Sequence, residues 1–326
     1  MVGVFRRTGN RCAHIFWHVA LLVGSCALAL PLKAQEVIIL TGGASGVYFP
    51  VGLALKKILE RELPATKVTV QSTQATVENL NLLQQGKGVL ALAQGDILNE
   101  AWKGNPEAGF PSSRTKIRLI GAAYPNIIHI LARKDANIRS VKDLRGKRVS
   151  VGPARSGNEL NSRALLGAAG MSYADLLQVD YLEYGDSVGL MTKGQLDATI
   201  ISAGLGVAAV HRAANSDVSF ALVPVEQEVI DATQKMFFVS SIPANTYPKQ
   251  DTAVRALALN NFLVTSSDVP DELVYRLTKA IFANVGEVRS AHPAAVVMAR
   301  ETAINVRPIE IHPGAARYFR EVGLLR

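Results

Sequence analysis

The sequence predicts an α/β protein with two lobes, each a mostly parallel sheet flanked by helices. Short runs rich in β-branched residues alternate along the chain with amphipathic runs of helical spacing. Strands that alternate with helices are typical of a parallel, doubly wound sheet. The pattern contains about ten such units, more than one sheet of this kind holds comfortably, and we therefore expect two lobes.

The first elements are the clearest. Residues 36–40 form a predicted strand, apolar except for Glu36, that ends at a glycine cluster, and apolar residues recur at helical spacing from Tyr48 to about Leu63. Pro50 falls in the first turn of that helix, where a missing N–H costs nothing. The further predicted strands are 67–72, 88–94, 117–124, 127–133, a strand that ends at Gly152, 179–185, 196–202 and 218–225, and the further predicted helices are 77–85, Asp96 to Trp102, Ser156 or Gly157 to Ala169, and 273–290.

The lobe boundaries are predicted from the places where strands crowd together. The strands 117–124 and 127–133 are joined by almost nothing, which places a seam near Tyr124–Pro125. A return crossing near 237–241 makes the first lobe discontinuous. We thus expect lobe 1 over 35–124 and 240–326 and lobe 2 over 125–239, with a mostly helical C-terminal third.

The first 34 residues resemble a secretory signal peptide. Three arginines between residues 6 and 11 precede a long apolar segment, and the small residue Ala34 stands before the polar chain resumes. We predict cleavage after Ala34 and a periplasmic protein. The alternatives are a retained N-terminal anchor and lipoprotein processing at Cys26. Because Cys12 and Cys26 both lie in this segment, the processed protein would contain no thiol.

The charge of the chain gives little support for a nucleic-acid partner. The formal charge of +8 falls to +4 when the four basic residues of the leader are removed. No run of lysine and arginine with interleaved aromatic residues follows. We therefore expect no nucleic-acid partner, and the remaining excess of positive charge would suit a small anion.

Four polar loops indicate a ligand cleft. Each loop follows a predicted strand and precedes a predicted helix, where backbone N–H groups and the helix dipole favour a carboxylate. Any one of these loops alone would be an ordinary turn, but four of similar composition favour a binding site at the carboxyl ends of the strands. The loops are TGGASGVY (41–48), STQATVEN (72–79), AQGD (93–96) and GPARSGNE (152–159).

Arg155 and two tyrosines stand out in or near these loops. The guanidinium of Arg155 could pair with an anion through two hydrogen bonds, or Arg155 could be an ordinary exposed residue. Tyr48 and Tyr124 could contact a ligand or form part of the wall of the cleft.

No catalytic motif is present in the sequence. Thr41 stands where a dinucleotide-binding fingerprint requires glycine, and Val47 replaces the last glycine of a nucleophile elbow. The chain has no G-K-[ST] or H-E-x-x-H motif, and His129 lies in an apolar strand that is typical of a core histidine. We therefore predict a binding protein without a metal or cofactor, not an enzyme; the alternative is a secreted enzyme with a diffuse polar site.

Several motifs together resemble the TAXI family, the solute-binding receptors of TRAP transporters. The similar segments are TGGASGVYFPVGLALKKIL, QSTQATVENLNLLQQGKGVLALAQGD, SVKDLRGKRVSVGPARSGNE, GQLDATIISAGL and EIHPGAARYFREVGL. The resemblance implies a periplasmic clamshell, similar to type II binding proteins, that closes on a small organic anion such as a glutamate-like amino acid or a dicarboxylate. It also implies delivery of this ligand to the membrane permease subunits of a TRAP transporter. We expect a monomer; the alternative is a receptor of the same shape that serves an ABC importer or a sensor kinase.

The family's ligand-binding loops correspond to ten residues of this chain. Where family members usually have Gly-Ser-Gly-Thr, this chain has Arg155 in place of the first glycine and Asn158 in place of the threonine. An added guanidinium would change the charge and volume of the cleft. The residues that the resemblance assigns to the ligand site are Ser45, Gly46, Tyr48, Thr73, Gln94, Tyr124, Arg155, Ser156, Gly157 and Asn158.

Overall fold

Ten strands form one mixed sheet in the computed structural model, which describes residues 1–4, 35–234 and 236–326. Their order across the sheet is β2-β1-β3-β10-β4-β7-β5-β6, with β8 beside β4 and β9 beside β10. The strands are β1 (Gln35–Leu40), β2 (Thr66–Gln71), β3 (Leu90–Gln94), β4 (Ile117–Arg133), β5 (Arg148–Ser150), β6 (Gln178–Asp180), β7 (Ala198–Ala203), β8 (Phe220–Val223), β9 (Phe238–Ile242) and β10 (Val254–Ser266).

The α-helices of the described residues cover the two faces of this sheet. The first of them, α1, runs over Tyr48–Glu62 and buries Leu55, Ile58 and Leu59 against the sheet, as the helical spacing of these residues predicts. The others are α2 (Thr76–Gln84), α3 (Gly95–Lys103), α4 (Gly157–Ala168), α5 (Tyr184–Thr192), α6 (Ala208–Ala214), α7 (Gln227–Thr233), α8 (Asp271–Ala283), α9 (Val285–Ala291) and α10 (Pro313–Glu321).

Two long strands join two parallel groups of strands. The strands β1, β2 and β3 are parallel to one another, and so are β5, β6 and β7. Between the groups lie β4, of 17 residues, and β10, of 13 residues, which pair antiparallel with each other. The first half of β4 pairs with the end of β10, and residues 127–132 pair with β7. The predicted α/β class is confirmed, with antiparallel strands at the centre of the sheet.

Four of the predicted elements need correction. The two strands predicted at 117–124 and 127–133 are one continuous strand. Pro125 keeps an extended backbone there, and the strand loses only the hydrogen bond that an N–H at this residue would donate. The strand predicted at 179–185 ends at Asp180, because helix α5 begins at Tyr184. The helix predicted at 273–290 is interrupted at Asn284, which separates α8 from α9.

The largest difference is the strand β10, which lies in the part of the chain predicted to be mostly helical. Almost every residue from Ala256 to Ser266 is buried. A strand with both faces covered has a near-continuous apolar run, here broken by Asn260 and Asn261, without the alternation of a half-exposed strand. Such a run cannot be distinguished from a buried helix by its periodicity, and this is why the sequence pattern did not identify it.

The predicted lobes and leader are not tested by this fold. Residues 35–326 pack as one compact unit, and the boundaries of lobe 1 and lobe 2 stay a prediction. The predicted cleavage after Ala34 and both cysteines fall outside the described residues. Within the described ranges, no helix is both long enough and apolar enough to cross a membrane.

Candidate functional site

A narrow cleft lies where the carboxyl ends of the two parallel groups of strands meet. It contains about 510 Å³ of space outside the protein atoms, a volume that includes solvent at its open mouth. In open α/β sheets, ligands bind at this edge because the loops and helix N-termini converge there. The cleft is lined by Gly42, Gly43, Gly46, Val47, Tyr48, Gln74, Ala75, Gln94, Tyr124, Asn126, Pro153, Ser156, Asn158, Glu183, Tyr184, Ser202 and Ala203.

One wall of the cleft is the N-terminus of α1. Gly46, Val47 and Tyr48 line the cleft at this point, and no side chain caps the 15-residue helix. The first N–H groups of a helix have no partner within the helix, and the dipole places partial positive charge beside them. This wall is therefore suited to accept a carboxylate.

The floor of the cleft is a network of buried polar side chains. The hydroxyl of Tyr48 donates to Oδ1 of Asn261 at 2.6 Å, and Nδ2 of Asn261 donates to the carbonyl of Tyr124 at 2.9 Å and to Oδ1 of Asn126 at 2.7 Å. Nδ2 of Asn126 then donates to the carbonyl of Ser202 at 3.1 Å. The network joins α1, β10, β4 and β7, and it fixes the floor where the two halves of the sheet meet.

Asn158 holds the opposite wall together. Its Nδ2 donates to the carbonyls of Val151 at 2.8 Å and Ile200 at 2.9 Å, and its Oδ1 accepts hydrogen bonds from the N–H of Ser202 and the hydroxyl of Tyr184. The amide of Asn158 is thus fully used inside the protein.

Two buried polar atoms at the cleft have no partner among the described residues. They are Oε1 of Gln94 and the hydroxyl of Tyr124, on side chains that are 4% and 2% exposed. An unpaired buried polar atom costs about 1–3 kcal/mol, and buried polar groups are for this reason nearly always hydrogen-bonded. Because both atoms belong to cleft-lining residues, a bound ligand could supply their partners.

Glu183 carries the only charge at neutral pH among the residues that line the cleft. The side chain is half-buried, and burial, together with the nearby Asp186, raises the pKa of its carboxyl above the ordinary value. In the described part of the chain this carboxylate forms no ion pair and accepts no hydrogen bond. It lies against Gly43, where an added Cβ would collide with its oxygen.

The structure brings six of the ten sequence-predicted site residues to the cleft and places four elsewhere. Arg155 is exposed and does not line the cleft, and Gly157 packs against the side chain of Gln94. Thr73 is buried and donates to the carbonyl of Thr41 at 2.8 Å. Ser45 accepts a hydrogen bond from the N–H of Gly185 at 3.2 Å. Those on the cleft are Gly46, Tyr48, Gln94, Tyr124, Ser156 and Asn158.

The sequence pattern missed the lining residues that lie outside the four polar loops, for two reasons. Asn126 and Ser202 lie within strands, where sequence reasoning looked only at the loops. Glu183 and Tyr184 lie in a segment predicted as a strand, although they stand at the start of helix α5. The signal was available, since the sequence EYGDS has the polar composition of a helix N-terminus.

The described residues offer no site for a metal ion, as no group of three or more His, Cys, Asp or Glu side chains lies together. The interpretation of His129 as a core histidine is confirmed. Its ring is fully buried, Nε2 lies 2.8 Å from the hydroxyl of Tyr247, and burial lowers its pKa to about 4.

Comparison with known families places the chain. Residues 39–323 match the model of the NMT1-like family. The chain belongs to the NMT1-like family. This match shows the NMT1-like family, and it does not show the TAXI family that the sequence motifs resemble.

Solved structures show the same fold as this NMT1-like protein. An ancestral arginine-binding protein bound to arginine is 14% identical with a TM-score of 0.51, over 81% of this chain and 99% of its own. A protein from Bordetella bronchiseptica RB50 is 14% identical with a TM-score of 0.52, over 88% of this chain and 89% of its own. A structure described as a periplasmic transporter is 14% identical with a TM-score of 0.51, over 81% of this chain and 87% of its own. The chain therefore shares the fold of these three proteins, and at this identity the likeness concerns the fold alone.

Proposed function

We propose that this NMT1-like protein is an extracytoplasmic receptor that captures a small organic acid and delivers it to a membrane transporter. The observation that carries the proposal is the pair of unpartnered polar atoms, Gln94 Oε1 and Tyr124 OH, at a narrow cleft. The protein tolerates these atoms because a ligand satisfies them. Binding and release suffice for this role, and it requires no catalytic step.

The carboxylate of the ligand binds at the N-terminus of α1 in this proposal. Gly46 and Val47 line the cleft where a helix without a side-chain cap begins. N–H groups at a helix N-terminus bind anions without any cationic side chain. Arg155 is not needed, in agreement with its place on the surface.

Capture occurs by closure of two lobes. Three contacts already reach from one parallel group of strands to the other: Ser45 with Gly185, Gln94 with Ser202, and the floor network. Hinges are expected where the long strands pass between the groups, at Pro125 in β4 and at the irregular register of β10 between Asn260 and Phe262. We place the second crossing in β10 and not near 237–241, because β9 pairs with the part of β10 that lies beside Ile127.

A TRAP-type secondary transporter is the proposed recipient. This assignment is supported by the sequence resemblance to the TAXI family. A receptor of the same shape for an ABC importer or a sensor kinase is the rival. Co-purification from membranes distinguishes them, since recovery of an ABC transporter or a kinase in place of a TRAP permease would contradict the TRAP assignment.

The test of solute binding is a thermal-shift panel of amino acids, keto acids and dicarboxylates on the purified protein. A ligand at 100 times its Kd should add about 2.7 kcal/mol to the free energy of unfolding. Gln94→Ala should weaken binding of the hit, because it removes one of the two atoms that await a partner. If no small acid shifts the melting temperature, the proposal fails.

A further inference from the structure

The charge of the cleft is unusual for a receptor of organic anions. Every lining side chain except Glu183 is neutral at neutral pH, and Glu183 is an acid. A second carboxylate placed beside it would meet a like charge in a partly dehydrated site, where repulsion is stronger than in water. The cleft therefore disfavours a dianion.

Nothing in the described protein neutralises Glu183. Its carboxylate forms no ion pair with any described Lys, Arg or His. The guanidinium of Arg212 lies beside Gly185, but it does not pair with the carboxylate of Glu183. Asp186, in the first turn of α5, adds a second negative charge nearby. A half-buried carboxylate without a partner is costly, and it indicates that its partner arrives from outside the chain.

The other unpaired atoms agree with this interpretation. Oε1 of Gln94 is an acceptor only, and the hydroxyl of Tyr124 can accept. Both side chains are more than nine-tenths buried at the cleft. Like Glu183 they line the cleft and can accept a hydrogen bond from a donor on the ligand, while the α1 N-terminus supplies donors for an acceptor on the ligand.

We infer that Glu183 recognises a cationic nitrogen of the solute, so that the ligand is a zwitterion that carries an ammonium group as well as a carboxylate. The inference rests on the proposed function and narrows it, because it selects amino acids over dicarboxylates. Gly43 belongs to this recognition site, because the absence of a side chain at Gly43 leaves the space that the carboxylate of Glu183 occupies.

The experiment compares matched acids that differ only in an α-ammonium group. The pairs are L-glutamate with glutarate and L-leucine with 4-methylvalerate, measured by isothermal titration calorimetry. Hydrogen bonds to charged groups contribute enough to give about a 10- to 100-fold preference for the amino acid of the better-binding pair. In Glu183→Gln the preference should fall to about 3-fold or less, because the amide has lost the charge while it keeps the shape.

Two further variants separate charge at the site from charge in general. Asp186→Asn removes the same charge from an exposed neighbour that does not line the cleft, and it should keep the preference. Gly43→Ala keeps the charge of Glu183 but displaces the carboxylate, and it should reduce the preference even if Glu183→Gln folds poorly.

Each outcome decides the matter. Equal or tighter binding of the acids without nitrogen overturns the inference and leaves the proposed receptor function intact. A preference that survives both Glu183→Gln and Gly43→Ala assigns the ammonium to another group and also overturns it. Binding by neither series overturns the proposed capture of small organic acids together with the inference.

Discussion

At the scale of single residues, Asp96 and Asn161 form a contact that depends on pH. Nδ2 of Asn161 donates to Oδ2 of Asp96 at 2.7 Å and ties α3 to α4. The remaining oxygens, Oδ1 of Asp96 and Oδ1 of Asn161, have no partner within the described residues. Burial raises the pKa of Asp96 to about 6, although the hydrogen bond from Asn161 opposes the shift.

The substitution Asp96→Asn should raise the free energy of unfolding at pH 7.5 by about 1–3 kcal/mol. The folded protein takes up a proton at Asp96 as the pH falls through about 6, whereas the unfolded chain does so only near its ordinary value of 3.8. The ionised group therefore destabilises the fold above pH 6, and its cost disappears as the pH falls towards 4. The difference between variant and wild type, measured by urea unfolding from pH 4 to 8, should shrink in that direction.

Asp143 serves as the control because its pKa is shifted the other way. It accepts hydrogen bonds from the N–H groups of Arg139 and Ser140, and these lower the pKa of its carboxyl. Asp143→Asn should destabilise the protein at pH 7.5, with an effect that declines as the pH falls. A stabilising Asp143→Asn, or a pH-independent Asp96→Asn, would contradict the assignment.

Tyr48 supports the floor of the cleft through its hydroxyl. Tyr48→Phe leaves Oδ1 of Asn261 buried without its donor at 2.6 Å and should cost about 1–3 kcal/mol of stability. Tyr181→Phe is the matched control, because Tyr181 is 46% exposed, and it should change the stability by less than about 0.5 kcal/mol. Urea unfolding measures both, and equal effects would show that the network does not stabilise the floor.

Arg155 should not contribute to ligand affinity. Its side chain is exposed and does not line the cleft, and its backbone has φ of 59°, as in a tight loop. Arg155→Ala should leave the Kd of any acid found in the panel within about 2-fold. A 10-fold loss would support the alternative in which its guanidinium pairs with the anion.

The sequence predicted part of the cleft lining at this scale because glycines and helix-start residues leave a local signature. Gly46, Tyr48 and Ser156 belong to such turns, and they line the cleft. Glu183 and Asn126 left no such signature, since only the tertiary arrangement brings them to the same place. Arg155 had the right chemistry in the right loop, but its side chain points to a surface that no local pattern reveals.

At the scale of elements, α1 lies unusually close to the sheet at Gly52. A Cβ at Gly52 would come within 2.6 Å of Cγ2 of Thr41 and 3.2 Å of Cγ1 of Val70. The close approach is what places the N-terminus of α1 at the cleft.

Alanine substitutions at the two helical glycines, Gly52 and Gly167, should change the stability of the protein in opposite directions. Gly52→Ala should destabilise the protein by about 1–3 kcal/mol, because the overpacked methyl group outweighs the gain in helix propensity. Gly167, in α4, has no atom within 4 Å of the added Cβ, and Gly167→Ala should stabilise the protein by about 0.5–1 kcal/mol. Thermal and urea unfolding of both variants check the signs, and equal signs would exclude the proposed close packing.

Elements with local signals were predicted well, and those defined by tertiary burial were not. The helix α1 and the strand β1 have clear periodicity and clear ends. The strand β10 has neither, because it is covered on both faces and pairs with partners far away in the sequence. The crossing of the sheet by β10 is therefore a property that only the structure shows.

At the scale of the whole molecule, the proposed closure of the two lobes can be followed by hydrogen exchange at the backbone amide of Gly185. The N–H of Gly185 donates to Oγ of Ser45, on the far side of the cleft. A ligand from the panel at 100 times its Kd should slow hydrogen exchange at Gly185, because it favours the closed arrangement. The amide of Leu92, within the parallel strand β3, should exchange slowly in both states. Unchanged exchange at Gly185 would argue against closure by lobe movement.

The position of β10 also has a consequence for how the chain folds. The first three strands come early in the sequence, yet β3 pairs with β10 through contacts such as Leu92 with Leu263. The first group of strands thus keeps an open edge until the chain has been made beyond residue 266. Contacts between such distant parts of a chain form slowly, because a long loop must close first. We therefore expect slow folding, in which the edge of β3 stays unpaired until β10 joins the sheet.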